Sequence, residues 1–164
     1  MKTKRLVFSS LLIGIGTITG HLIYIPIGVS KIFPVQHAIN ILSAVWLGPW
    51  FALGNAFIIS LLRNIIGVGS LLAFPGSMIG AFSAGILYRA TKKKPLAILG
   101  EVFGTGILGG LVSFPIAKFV LGAKCAATFF IIPFLSSSLM GSIIAYLLLT
   151  IGNKLSIEDK ERSM

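Results

Sequence analysis

The chain has 164 residues, 55% of them apolar and only 11% charged, against about 25% charged residues in a soluble domain, which excludes an ordinary soluble globular fold. Fourteen Lys and Arg against four Asp and Glu give a net charge of +10, which in so apolar a chain fits loops at an anionic membrane surface and argues against a nucleic-acid partner. Cys125 is the single cysteine, and two His with four acids supply neither a disulfide framework nor a usual zinc set, so no metal and no cofactor is expected.

A helix needs about 20 apolar residues to cross a hydrocarbon core roughly 30 Å thick. The uncharged stretches are 6–30, 32–62, 64–88, 95–117 (interrupted by Glu101) and 125–153. Met1 to Arg5 with the apolar run behind it resembles a signal peptide, but the run is too long for that and no A-x-A site ends it, so it is read as a first membrane helix. Its small face, Ser10, Gly14 and Thr17, suits either packing inside the bundle or a partner subunit. The second stretch contains Gly48-Pro49, and proline removes a backbone donor and clashes with the preceding turn, so a break is expected there.

Charge placement supports that break. With it there are six crossings, and Lys2, Lys4, Arg5, Arg89, Lys92, Lys93, Lys94, Lys154, Lys160 and Arg162 fall on the cytoplasmic side, against Lys31, Arg63, Lys118 and Lys124 outside. A single kinked second helix reverses the bias, leaving six basic residues inside and eight outside. The expectation is an all-α integral membrane bundle forming one domain, 1–164, with both termini cytoplasmic. Its helices lie near 6–26, 35–48, 50–66, 74–89, 95–118 and 130–153, followed by a frayed tail, 154–164.

In this topology Pro26, Pro34, Pro75, Pro115 and Pro133 gather toward the outer face. Irregular backbone at membrane depth is tolerated where protein covers it or where it lines a cavity, so the pattern points to an outward-facing pocket, or else to simple capping of short helices. His37 and Asn40, one turn apart, share a face and offer donors and acceptors either to a solute or to another helix. Arg63 lies roughly 20 Å along its helix from Trp50, deep enough to line that pocket and near enough to the surface to snorkel. Asn64, Ser70, Ser77, Ser136 and Ser137 sit at the same level, as do the aromatics Phe74, Phe114, Phe129 and Phe130; Ser138 follows them. The candidate substrate-binding set is therefore His37, Asn40, Arg63, Asn64, Ser70, Phe74, Ser77, Phe114, Ser136 and Ser137. Glu101, the sole acid in an apolar run, is a functional candidate by default. Its place about 9 Å along the helix from Pro95 instead suggests pairing with Arg89 and Lys92 to Lys94 on the inner side, away from His37.

Gly104-Thr105-Gly106-Ile107-Leu108-Gly109 matches G-x-G-x-x-G literally, yet it lies in an apolar helix with no strand before it, which rules it out as a nucleotide site. These glycines suit close helix contact, as do Gly76-x-x-x-Gly80-x-x-x-Ala84 and Ser137-x-x-x-Gly141-x-x-x-Ala145. No nucleophile and base pair emerges, so no enzymatic activity is expected.

Three blocks carry a family resemblance: Leu47-Gly48-Pro49-Trp50 followed by Arg63-Asn64, then Gly69-Ser70-Leu71-Leu72-Ala73-Phe74-Pro75-Gly76-Ser77-Met78, and Gly100-Glu101-Val102-Phe103-Gly104-Thr105-Gly106. They resemble the ThiW family, substrate-binding S components of energy-coupling factor (ECF) transporters. The resemblance implies capture of the thiamine precursor hydroxyethylthiazole from outside, docking on an ECF coupling transmembrane subunit with two cytoplasmic ATPases, and toppling in the lipid bilayer. The chain has no G-x-x-x-x-G-K-[ST] loop, so ATP hydrolysis falls to a partner. Another thiamine-related cargo, the pyrimidine moiety or thiamine itself, and a scaffold with no solute are the competing readings. Cysteines placed at Lys93 and at Lys31 test the topology: the first should react with an impermeant maleimide only from the cytoplasm and the second only from outside, and labelling of position 93 from outside contradicts six crossings.

Overall fold

The computed structural model describes residues 2–27, 30–124 and 126–162; Cys125, Ser163 and Met164 lie outside them. Among the described residues there are six helical rods and one β-hairpin: α1 (Lys2–Leu22), β1 (Ile25–Ile27), β2 (Ser30–Ile32), α2 (Pro34–Trp46), α3 (Pro49–Ile65), α4 (Ala73–Thr91), α5 (Lys94–Val120) and α6 (Ile131–Arg162). Two expectations are corrected. The first helix stops at Leu22, four residues short of 26, because Ile25-Pro26-Ile27 favours extended backbone: proline disfavours helix for the residue before it, and the β-branched flanks suit a strand. These residues pair antiparallel with Ser30–Ile32, Ile25 opposite Ile32. The supposedly frayed tail continues the last helix as far as Arg162.

Proline opens three of the rods. Pro34, Pro49 and Pro95 sit in the first turns of α2, α3 and α5, where a missing amide donor costs little. Between α2 and α3 the chain reverses at Gly48, whose φ of 93° is a conformation that side-chain-bearing residues rarely adopt. α2 has only 13 residues, about 20 Å of helix, and nearly all of it is buried, since α1, α3, α4, α5 and α6 pack around it. It is the central post of the bundle.

Small residues bring the surrounding rods close. Gly76, Gly80 and Ala84 of α4 face Gly100, Gly104 and Gly109 of α5, and a Cβ on Gly104 or Gly109 would strike the Cα of Gly80 or Gly76. Over this seam α5 widens into a π-helical stretch, Gly104–Gly109, and it widens again over Ile116–Val120 after the internal Pro115. Such widenings arise where the regular hydrogen-bond ladder is interrupted. Gly141 of α6 meets Pro34 and His37 of α2 in the same way. A buried polar strut, Ser9 to Asn55 and Asn55 Nδ2 to Ser43 Oγ at 3.0 Å, ties α1, α3 and α2 together.

Outside this interior the rods present large apolar side chains, among them Leu6, Val7, Ile18, Trp50, Phe119 and Ile143. An apolar surface this extensive belongs against lipid. Within the described residues, α5 and the Ile131–Gly152 part of α6 are each long and apolar enough to cross a membrane alone. The close seam is testable by alanine: Gly109→Ala should cost about 1–3 kcal/mol of stability, whereas Gly54→Ala, whose Cβ meets nothing within 4 Å, should change it by about 1 kcal/mol or less and in the stabilising direction. Thermal unfolding in detergent separates them, and equal melting temperatures would contradict the packing.

Candidate functional site

The end of the bundle opposite the Lys92–Lys94 turn holds a cavity of about 560 Å³, within the range of small-molecule sites. The hairpin region contributes Tyr24, Lys31 and Phe33, α2 contributes Gln36 and His37, and α3 contributes Arg63. The α3–α4 loop and the start of α4 supply Val68 to Ser70, Ala73, Gly76 and Ser77; Thr105 of α5 and Phe130, Pro133, Phe134 and Ser137 around the start of α6 close the wall. Gly76 is needed here because a Cβ would meet the Phe134 ring. The hairpin is fixed to α6 by the Phe33 amide, which donates to Ser137 Oγ at 3.2 Å.

The floor is a continuous hydrogen-bond network. Arg63, only 2% exposed, donates through Nη1 to Gln36 Oε1 and lies over the Phe33 ring, its guanidinium carbon 4.1 Å from the centroid. Gln36 Nε2 donates to Ser60 Oγ at 3.1 Å and Ser77 Oγ at 3.0 Å. Ser77 in turn accepts from Asn40 Nδ2 at 3.0 Å, and the same amide reaches Glu101 Oε1 at 2.9 Å. Thr105 Oγ1 and His37 Nδ1 lie 3.1 Å and 2.8 Å from that oxygen. An amide nitrogen can only donate, so Oε1 is an acceptor and the histidine proton is assigned to Nδ1. His37 lines the cavity, and its Nε2, which has no protein partner among the described residues, is left as an acceptor facing the space.

This overturns the expected place of Glu101. It is 0% exposed, sits between α2 and α4, and its one basic partner among the described residues is His37, through the Nδ1 hydrogen bond, not Arg89 or Lys92 to Lys94. Those cations occupy an exposed turn, while position 101, nearly two helical turns beyond Pro95, points at the bundle axis where α2 supplies donors. Its second oxygen, Oε2, has no partner among the described residues and faces Gly80, where a Cβ would collide with it.

Of the residues singled out from sequence, His37, Arg63, Ser70, Ser77, Phe130 and Ser137 come together on the cavity wall, and Asn40 lies one bond beneath it. Asn64 bonds Ser60 O at 2.8 Å and Ser70 O at 3.1 Å, pinning the α3–α4 loop. Phe74 packs on Phe57 at 5.6 Å, Phe114 lies under the Lys118 ammonium at 5.7 Å, and Ser136 bonds Ile132 O of its own helix; none of these four forms part of the wall. Gln36, Phe33, Tyr24, Lys31 and Thr105 were not singled out. Helical spacing held a usable signal for two of them, since Gln36 precedes Asn40 and Thr105 follows Glu101 by four residues. On α1, Ser10 is exposed, nothing lies within 4 Å of a Cβ on Gly14, and Thr17 bonds Ile13 O, so this face is open.

The family described as thiamine-precursor transporter protein (ThiW) matches residues 6–154. Among solved structures, the chain is similar to one titled as the S component of a bacterial ECF transporter, with a TM-score of 0.75 and 21% identity over 94% of this chain and 99% of that one. At that identity the likeness establishes a shared fold. No match was found among curated proteins. The network itself is testable: Asn40→Ala strips a donor from both Ser77 and Glu101 and should cost about 1–3 kcal/mol, while Ser136→Ala should leave the melting temperature nearly unchanged. The reverse order would contradict the assigned floor.

Proposed function

Because the chain belongs to the ThiW thiamine-precursor transporter family, we propose that it is the substrate-capture S component of an ECF-type importer in the bacterial cytoplasmic membrane, and that its cargo is hydroxyethylthiazole. The observation that carries this reading is the cavity. It has aromatic walls for a flat ring, a polar floor for a hydroxyl, and a position at the end of the bundle away from the basic Lys92–Lys94 turn. With six crossings and both termini cytoplasmic, that end faces outward.

The ring lies among Phe33, Phe130 and Phe134, and the alcohol donates to His37 Nε2 while Ser77 or Ser137 completes the contact. Asn40 and Glu101 act from beneath, by holding His37 and Ser77 in place. The open face of α1 around Gly14 docks on the coupling subunit, because small residues let a partner helix approach its backbone. Two cytoplasmic ATPases bound to that subunit supply the energy for release inside.

Hydroxyethylthiazole at a hundredfold excess over its dissociation constant should stabilise the purified protein by about 2.7 kcal/mol, read as a rise in melting temperature. His37→Ala should weaken binding roughly ten- to hundredfold, the effect of losing one buried hydrogen-bond partner. No shift with the thiazole but a shift with the pyrimidine moiety or thiamine reassigns the cargo, and no shift with any of them favours a scaffold. Gly14→Leu should reduce transport and co-purification of the coupling subunit while leaving binding by the isolated protein intact; equal loss of both contradicts the docking face.

A further inference from the structure

Arg63 is a buried cation without a buried anion. Its guanidinium is held by a neutral amide, by the Phe33 ring and by a long contact of 3.5 Å to Val68 O. Among the described residues no carboxylate lies within ion-pairing distance of it, since the one carboxylate beside a basic side chain is Glu101 against His37; its Nε, packed against Gly20 of α1, has no hydrogen-bond partner. The sequence leaves little else to neutralise it: apart from Glu101, the acids are Glu158, Asp159 and Glu161, at the other end of α6. A charge removed from water is strongly unfavourable unless paired.

The same cavity is lined by a second cation, Lys31, and by no acid. Even with Glu101 counted beneath the floor, the two cations outnumber it. The starts of α4 and α6 abut the space as well, at Ala73 and Pro133, and helix starts favour negative charge. A neutral alcohol meets the acceptor on His37 and leaves Arg63 unanswered. We infer that the cavity is built for an anionic form of its ligand: a thiazole alcohol that also bears a ring carboxylate, the hydroxyl on His37 and the acid group on Arg63, with Lys31 at the rim.

This rests on the thiazole reading but changes the preferred cargo from the neutral alcohol to a carboxylated one, with hydroxyethylthiazole itself as a weaker ligand of the same cavity. The full chain, purified in detergent, is titrated calorimetrically with hydroxyethylthiazole, with the same alcohol carrying a carboxylate at ring carbon 2, and with the matching uncharged carboxamide. The carboxylate should bind at least about tenfold more tightly than the amide, as expected for a desolvated bidentate pair with arginine. In Arg63→Gln the ratio between them should fall to no more than the few-fold share of Lys31, and in Lys31→Gln, an exposed position that tests the same preference if the first variant does not fold, it should drop a few fold. Equal or weaker binding of the carboxylate, with the neutral alcohol still bound, overturns the anionic class alone. Binding of none of the three overturns the thiazole reading and this inference together.

Discussion

One carboxylate oxygen organises the polar half of this bundle. Glu101 Oε1 collects His37, Asn40 and Thr105, so that α2 is pinned to α5, and Ser77 of α4 is drawn in through Asn40. Burying a carboxylate costs several kcal/mol even after relaxation, and the His37 and Asn40 N–H donors on one atom, with the Thr105 hydroxyl shared between it and Gly76 O, offset that cost only while α2, α4 and α5 keep their spacing. The glycine seam between α4 and α5 holds it: a side chain at Gly80 would collide with both Thr105 and the carboxylate. Packing and polarity therefore constrain each other, and a fault in either opens the floor of the cavity.

From that floor the remainder of the site follows by short steps. Ser77 passes the constraint to Gln36, and Gln36 to Arg63. His37, locked on its Nδ1 side, presents its other nitrogen to the space above. Rigid rods thus carry the contacting side chains, while the hairpin, the α3–α4 loop and the segment before α6 form the rim. A ligand entering this cavity would meet a preorganised floor and a wall made partly of connecting segments, an arrangement that keeps the ordering cost of binding low.

Much of the fold was legible in the sequence because hydropathy and proline placement act locally. The Gly48-Pro49 break, the basic turn at Lys92 to Lys94 and the small-residue spacings on α4 each reflect one segment's own chemistry. The hairpin was missed because an apolar run reads as helix until the Pro26 effect on its neighbours is weighed. The candidate site, taken as the cavity wall and its floor, was half legible. His37, Arg63 and Ser77 were found from depth along their helices, but Glu101 was assigned to the wrong neighbours, since distance along one helix says nothing about which way a short central helix turns its donors. Asn64 and Phe74 sit at the right depth and serve the loop and the packing instead, a distinction that requires the direction of each side chain.

The account turns on His37 being held by Glu101 with its Nε2 open to the ligand, and nitrogen NMR of the histidine-labelled protein tests this most directly. His21 is the one other histidine in the chain, so two ring spectra suffice. The account predicts that His37 carries its proton on Nδ1, that Glu101→Gln disturbs that signal, and that adding the thiazole alcohol shifts Nε2. A His37 ring protonated on Nε2 and indifferent both to Glu101→Gln and to the thiazole would contradict it.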